Sequence, residues 1–162
     1  MGILPRFPRV RSYLARVRAG WVDAEILEES YVSDLRQLHA LLTEAGLIDS
    51  IWVVGGLLLG WAREGRLLRH DLRDADFFIR RDQFDGLERA LPLLAAHGFA
   101  EEGRYIGNDG LLSIIKLHRN WTKFDFFLVD QSDGYFEVRS YGIDSRPTEF
   151  LERYPAQPLV PF

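Results

Sequence analysis

The apolar positions in the first half of the chain follow a helical period. Between Asp23 and Ala45 they recur every three or four residues, which places them on one side of an α-helix. Gly46 is expected to end this helix, because glycine adopts the left-handed conformation of a C-terminal cap at little cost. The apolar stripe comprises Ile26, Leu27, Tyr31, Leu35, Leu38, Leu41, Leu42 and Ala45. The segment therefore predicts an amphipathic helix that covers a core.

Shorter apolar runs further along the chain predict strands. Strands are expected over 51–54, 74–79, 99–106, 111–118 and 122–129. Helices are expected over 57–64, which Gly65 ends, and after Asp82, which is predicted to cap the helix that His97 and Gly98 close. Helices interspersed with strands indicate one α/β (α+β) domain over 23–162, preceded by a basic arm or helix over 1–22. The stretch 141–162 shows no period and ends in apolar residues, which suggests either a docked tail or a truncated chain.

Composition and charge exclude several classes of function. The chain contains no cysteine, so any metal must bind oxygen or imidazole ligands. The net charge is −4 although five arginines precede Asp23, so the remainder is acidic and does not favour nucleic-acid binding. No apolar run reaches the roughly 20 residues that span a membrane. A cytoplasmic location is expected, and the basic arm offers peripheral membrane contact as an alternative to simple solvation.

Three aspartates occupy unusual positions in predicted strands. Asp74 and Asp76 are two residues apart and therefore point to the same face, where two like charges need a compensating cation. Asp125 lies between large apolar residues, where an unpaired charge is costly. A divalent ion such as Mg²⁺, which prefers oxygen ligands, would compensate all three. The structural alternative is a solvated edge strand for the pair and an ion pair of Asp125 with Lys116 or Arg63.

A glycine pair gives these carboxylates a context. Gly55 and Gly56 lie between a predicted buried strand and a predicted helix. At such a position the backbone can approach a ligand closely, and the amides at the start of the helix can hold phosphate. A tight turn without a ligand would produce the same local pattern. The order of the motifs favours the first interpretation: glycine pair, helix, loop, Asp-x-Asp strand and then a strand with a single aspartate.

This order resembles the nucleotidyltransferase superfamily, and the residues between the motifs resemble its LicD/fukutin branch over about residues 35 to 160. The stretch Gly55–Gly65 is similar to that family's Gly-Thr-Leu-Leu-Gly-x-x-Arg-x-Gly signature, and Asp74-Ala75-Asp76 to its Asp-Ile-Asp. Residues 125–130 resemble its Asp-Ile-Phe-Pro-Leu-Asp, with Lys116 upstream at the place of a frequent lysine. Two positions depart from the pattern: Leu57 replaces a Thr or Ser, and Arg73 replaces another Asp.

The resemblance implies a nucleotidyltransferase-type mixed sheet flanked by helices and a Mg²⁺- or Mn²⁺-dependent transferase. Such enzymes move a phospho-substituent, such as phosphocholine or a polyol phosphate, from a CDP-activated donor to a hydroxyl of a glycan or another acceptor. The residues implied as catalytic and metal-binding are Asp74, Asp76 and Asp125, and those implied as binding donor phosphate are Gly55, Gly56, Arg63 and Lys116.

Two other functions stay open at this point. One is a nucleotidyltransferase that modifies a small molecule, such as an antibiotic or metabolite. The other is a non-catalytic binding module that keeps the fold, to which Leu57 and Arg73 point.

Overall fold

The computed structural model describes residues 24–141, 149–156 and 162, and within them three α-helices and seven strands. The helices are α1 (Ala24–Glu44), α2 (Gly55–Glu64) and α3 (Phe84–Ala96). The strands are β1 (Ile51–Val54), β2 (Asp74–Arg80), β3 (Ala100–Ile106), β4 (Leu112–Arg119), β5 (Thr122–Ser132), β6 (Tyr135–Tyr141) and β7 (Glu149–Pro155). The predicted α/β class is confirmed.

The strands form one mixed sheet in the order β1-β2-β5-β4-β3. The central pair, β2 and β5, is parallel, whereas β1–β2, β4–β5 and β3–β4 are antiparallel. The long strand β5 continues past this pairing and joins β6, which in turn pairs with β7. The parallel pair therefore lies in the middle of the sheet and sets the relative position of residues that are about 50 positions apart in the chain.

The two faces of the sheet are covered differently. Alternate residues of β2 and β5, among them Phe77, Phe124 and Phe126, lie in the main core that the helices cover. On the other face, Phe78 and Val129 form a smaller core with side chains of β6. Because side chains alternate along a strand, Asp74, Asp76 and Asp125 point to the same face as Phe78 and Val129. They therefore lie beside the smaller core rather than under the helices.

The ends of the elements bear out most of the predicted boundaries. Gly46 follows α1 with a φ of 71°, and its amide donates to the carbonyl of Thr43, as expected of a C-terminal cap. The expected cap at Asp82 is wrong. Residues Arg81–Gln83 form a 3₁₀ turn, α3 begins without a side-chain cap, and the Asp82 carboxylate instead accepts hydrogen bonds from Arg80.

The C-terminal part contains strands that the apolar pattern did not predict. β7 mixes charged and apolar residues and pairs with β6 at the edge of the sheet, and its Tyr154 ring packs against Phe78 of β2. Phe162 lies against Phe77 with ring centroids 4.7 Å apart, and its amide donates to the carbonyl of Ile51 at 3.1 Å. The predicted arm over 1–22 lies outside the described residues, and the helices that are described include none long and apolar enough to cross a bilayer.

Candidate active site

The register of the central strands brings three carboxylates together. Asp76 on β2 lies directly beside Asp125 on the parallel strand β5, and Asp74 lies one pleat away on the same face. One oxygen from each of Asp74, Asp76 and Asp125 lies within 4.8 Å of the others. We call these three residues the acidic cluster. The strand pairing alone creates it, because Asp76 and Asp125 are in register.

Two lysines partly neutralise the acidic cluster. The Lys116 ammonium on β4 donates to Asp125 Oδ2 at 2.6 Å, and the Lys123 ammonium donates to Asp74 Oδ1 at 2.8 Å. The ion pair between Asp125 and Lys116 was one of the structural alternatives considered from the sequence. Among the described residues these lysines pair with two of the three carboxylates, so the cluster has more carboxylates than paired ammonium groups.

The buried geometry makes this negative charge costly. Burial, and next the charges of Asp74 and Asp125, raise the pKa of the Asp76 carboxyl to about 7, although both lysines act in the opposite direction. Burial also raises the pKa of Asp125, against the effect of Lys116. Asp125 is only 4% exposed. These shifts mean that a further positive charge at the cluster would be strongly favoured near neutral pH.

Asp125 also has an oxygen that could accept a further ligand. Its Oδ2 accepts from Lys116, but its Oδ1 is buried and has no hydrogen-bond partner among the described residues. A buried carboxylate oxygen without a partner is rare in native proteins, because its desolvation is uncompensated. A hard divalent cation takes oxygen ligands of this kind. The acidic cluster of Asp74, Asp76 and Asp125 therefore could hold a divalent metal ion.

The glycine pair brings the start of α2 against acidic side chains. Gly55 has a φ of 64°, and a Cβ at this position would lie 2.5 Å from Asp76 Oδ2. A Cβ on Gly56 would lie 2.2 Å from Asp71 Oδ2. α2 begins at Gly55, two residues before the predicted start, and Gly55 is exposed to solvent. The amino terminus of α2, which carries unsatisfied amides, therefore adjoins the acidic cluster.

The remaining residues predicted from the sequence lie at different distances from the cluster. Lys116 is part of it through Asp125. Arg63 is exposed in the last turn of α2, at the end away from Gly55 and about 12 Å along the helix axis at 1.5 Å per residue. Leu57 packs against the main core, so its side chain serves α2 docking rather than phosphate binding. The role of Arg63 stays a prediction.

Two residues near the cluster, Asp71 and Tyr31, are not functional candidates from the sequence alone, whereas Lys123 is a candidate for phosphate binding or for a solvent-facing strand position. Asp71 lies against Gly56, Lys123 pairs with Asp74, and the Tyr31 hydroxyl donates to the Asp74 carbonyl at 3.1 Å. Tyr31 has the spacing of an ordinary core residue of α1, and no local signal distinguishes it. The sequence does indicate Lys123, because it lies two residues before Asp125 on the same strand and therefore points to the same face of the sheet.

Comparison with known protein families adds one finding. Residues 49–161, more than two thirds of the chain, match the family model described as LicD/FKTN/FKRP, nucleotidyltransferase domain. The matched region runs from the turn before β1 through the C-terminal strand and contains the glycine pair and the whole acidic cluster. No curated protein matches the chain.

Proposed function

Because the chain belongs to the LicD/FKTN/FKRP nucleotidyltransferase family, a family of phosphotransferases, we propose that it is a Mg²⁺-dependent transferase acting on a CDP-linked donor. The transferred group is a phospho-substituent such as phosphocholine or a polyol phosphate, and the acceptor is a hydroxyl of a glycan or a similar molecule. The observation that carries the proposal is the acidic cluster, in which three carboxylate oxygens lie within 4.8 Å of one another beside the amino terminus of α2.

The reaction places two demands on the site, and the residues present suit both. Phosphoryl transfer requires the phosphate charge to be neutralised and the reacting atoms to be held in line. A divalent ion on Asp74, Asp76 and Asp125 would supply Lewis-acid neutralisation of the donor diphosphate. In our proposal the backbone of Gly55 and Gly56 holds donor phosphate oxygens through the amides that begin α2.

The basic residues complete this arrangement. We assign Lys116, whose side chain is 24% exposed and pairs with Asp125, to donor phosphate as well as to Asp125. Arg63 would approach the donor from the far end of α2. Asp125 would serve either as the third metal ligand or as the base that takes up the proton of the acceptor hydroxyl.

Charge balance supports metal binding before donor binding. Without a cation the cluster carries more carboxylates than lysines, so it repels a donor diphosphate. A divalent ion reverses this sign. The proposal therefore predicts that nucleotide binding requires the metal.

Two attack positions on the donor are chemically distinct. Attack at the phosphorus distal to the nucleoside forms a bond from the acceptor oxygen to the phospho-substituent and releases CMP. Attack at the proximal phosphorus transfers CMP and releases the phosphorylated substituent. We favour the distal position because it matches the class of reaction that the family carries out.

The alternative of a non-catalytic module has its own specific observation. Leu57 presents no hydroxyl at the start of α2, and Lys116 and Lys123 already occupy two of the three carboxylates. A binding module that keeps the fold would accept nucleotide without turnover.

A thermal-shift experiment followed by product analysis tests the proposal. The melting temperature is measured with CDP-choline, CDP-ribitol, CTP and ATP, each with Mg²⁺ and each with a chelator, since a ligand of the native state raises it. We expect stabilisation by a CDP-linked donor only with Mg²⁺, and slow release of CMP. Asp76→Asn should lose both effects, whereas the matched variant Asp82→Asn, at the far end of β2, should keep them. Stabilisation by ATP alone would favour a small-molecule nucleotidyltransferase, and no stabilisation by any nucleotide would refute the proposal.

A further inference from the structure

The start of β2 has a backbone carbonyl that its neighbouring strands cannot satisfy. Successive carbonyls of an extended strand point to opposite sides. The carbonyl of Arg73 accepts from the Lys123 amide of β5 at 2.8 Å, so the carbonyl of Asp74 points away from β5, towards the side of β1. β1, however, ends with Val54 paired to Asp76, because the chain turns at Gly55 into α2. The glycine turn thus leaves Asp74 beyond the end of the β1 ladder.

Tyr31 supplies the donor that β1 lacks. Its hydroxyl donates to the Asp74 carbonyl at 3.1 Å, across 43 positions in sequence, and its side chain is only 1% exposed. Burial, and then the charges of Asp74, Asp76 and Asp71, raise the pKa of the Tyr31 phenol, so the group stays a proton donor.

We propose that Tyr31 is a positioning residue of the metal site, which holds the peptide of Asp74 so that the Asp74 and Asp76 carboxylates keep a common direction. This inference rests on the proposed function, since it concerns the ability of the cluster to hold the ion. Lys123 restrains the Asp74 side chain from β5, and Tyr31 restrains its backbone from α1. Together they fix the exposed first residue of β2, which β1 does not reach.

The test removes one hydroxyl and measures metal affinity rather than activity. Tyr31→Phe keeps the ring in the core and leaves the Asp74 carbonyl without its donor. Partners that orient metal ligands typically contribute 10- to 100-fold in metal affinity. Because Tyr31 holds only the backbone of its ligand, we expect about 10-fold weaker Mn²⁺ binding, measured by calorimetric titration of the full chain at a temperature where circular dichroism shows it folded.

Two control variants separate positioning from general stability. Asp34→Asn alters a buried residue one turn along the same helix, whose carboxylate binds Arg119 and Asn120 rather than β2. Tyr154→Phe removes a tyrosine hydroxyl that donates to Glu152 on β7. Both should keep the wild-type Mn²⁺ affinity even if Asp34→Asn lowers the melting temperature. Equal weakening in Asp34→Asn would show a merely structural role and overturn the inference.

A measurement on the unaltered protein covers the case in which Tyr31→Phe fails to fold. In a Mg²⁺ titration followed by nuclear magnetic resonance, the ring signals of Tyr31 should shift with the same midpoint as metal binding. Signals of Tyr135, on the outer hairpin, should not shift. Unshifted Tyr31 signals, or an unchanged Mn²⁺ affinity in folded Tyr31→Phe, would refute the role of Tyr31 while leaving the proposed function intact. A wild-type protein that binds no Mn²⁺ would refute both.

Discussion

Replacing Asp76 by asparagine should make the metal-free protein more stable. The variant keeps the size of the side chain and removes the charge that is least compensated in the acidic cluster. The pKa of Asp76 rises from 3.8 to about 7 on folding, and at about 1.4 kcal/mol per pH unit this corresponds to about 4 kcal/mol of destabilisation once the group is ionised. Partial exposure of the group screens the charge, so we expect a gain of about 2 kcal/mol at pH 8.

The pH dependence gives the sign of this effect. Between the unfolded and folded pKa values of Asp76 the native state binds a proton that the unfolded state has lost. The contribution of this group to stability is therefore present in acid and is lost as the pH rises through about 7. The advantage of Asp76→Asn over the wild type should be small near pH 4, grow as the pH rises towards about 7, and reach its full size by pH 8.

Urea unfolding with a chelator present measures the difference. A gain of about 2 kcal/mol corresponds to about 4 to 8 °C in melting temperature for a chain of this length. The control is Asp82→Asn, which changes an exposed aspartate paired with Arg80. This variant should be slightly less stable than the wild type at both pH values. Adding Mn²⁺ should stabilise the wild type and not Asp76→Asn. The reasoning fails if Asp76→Asn is less stable than the wild type at pH 8, or if its advantage is equal at both pH values.

Two further substitutions probe the same cluster from its neighbours. Gly55→Ala should lower stability by about 2 kcal/mol and weaken Mn²⁺ binding in a titration, because the left-handed backbone is strained and the new methyl group would lie 2.5 Å from Asp76 Oδ2. Gly65→Ala shares a positive φ but has nothing within 4 Å, so it should cost about 1 kcal/mol and keep the metal affinity; equal metal affinities in the two variants would contradict this account. Lys116→Met leaves Asp125 buried without the ammonium that pairs with it. The variant should therefore have a free energy of unfolding about 3 kcal/mol lower than the wild type when a chelator is present. Adding Mn²⁺ should increase the stability of this variant more than that of the wild type. An equal increment from Mn²⁺ in both proteins would show that the ion does not replace the ammonium.

The sequence was sufficient where a local pattern has one physical explanation. A charge amid large apolar residues, as at Asp125, has to be compensated, and two aspartates two residues apart on a strand have to share a face. These arguments indicated the acidic cluster without knowledge of the strand order. The glycine pair likewise indicated a turn between a strand and a helix. The observed Cβ contacts explain why a larger residue would not fit there.

The rest depended on pairings that local patterns do not encode. The parallel register that sets Asp74 beside Lys123 joins residues 49 positions apart, and the hydroxyl of Tyr31 reaches β2 from a helix whose periodicity predicts only burial. Asp71 approaches Gly56 through a short 3₁₀ turn in a stretch that reads as an irregular loop. Strand β7 was missed because its partner is another peripheral strand, which imposes no regular alternation of apolar residues.

The most direct test of the metal site is anomalous diffraction from a crystal soaked in Mn²⁺. The account predicts one strong peak bounded by an oxygen from each of Asp74, Asp76 and Asp125, at about 2.0 to 2.3 Å as for hard divalent ions. One of these oxygens should be Asp125 Oδ1, which has no hydrogen-bond partner in the described part of the chain. A crystal saturated with Mn²⁺ that shows no ion at this position, with both lysines still paired to their carboxylates, would contradict it.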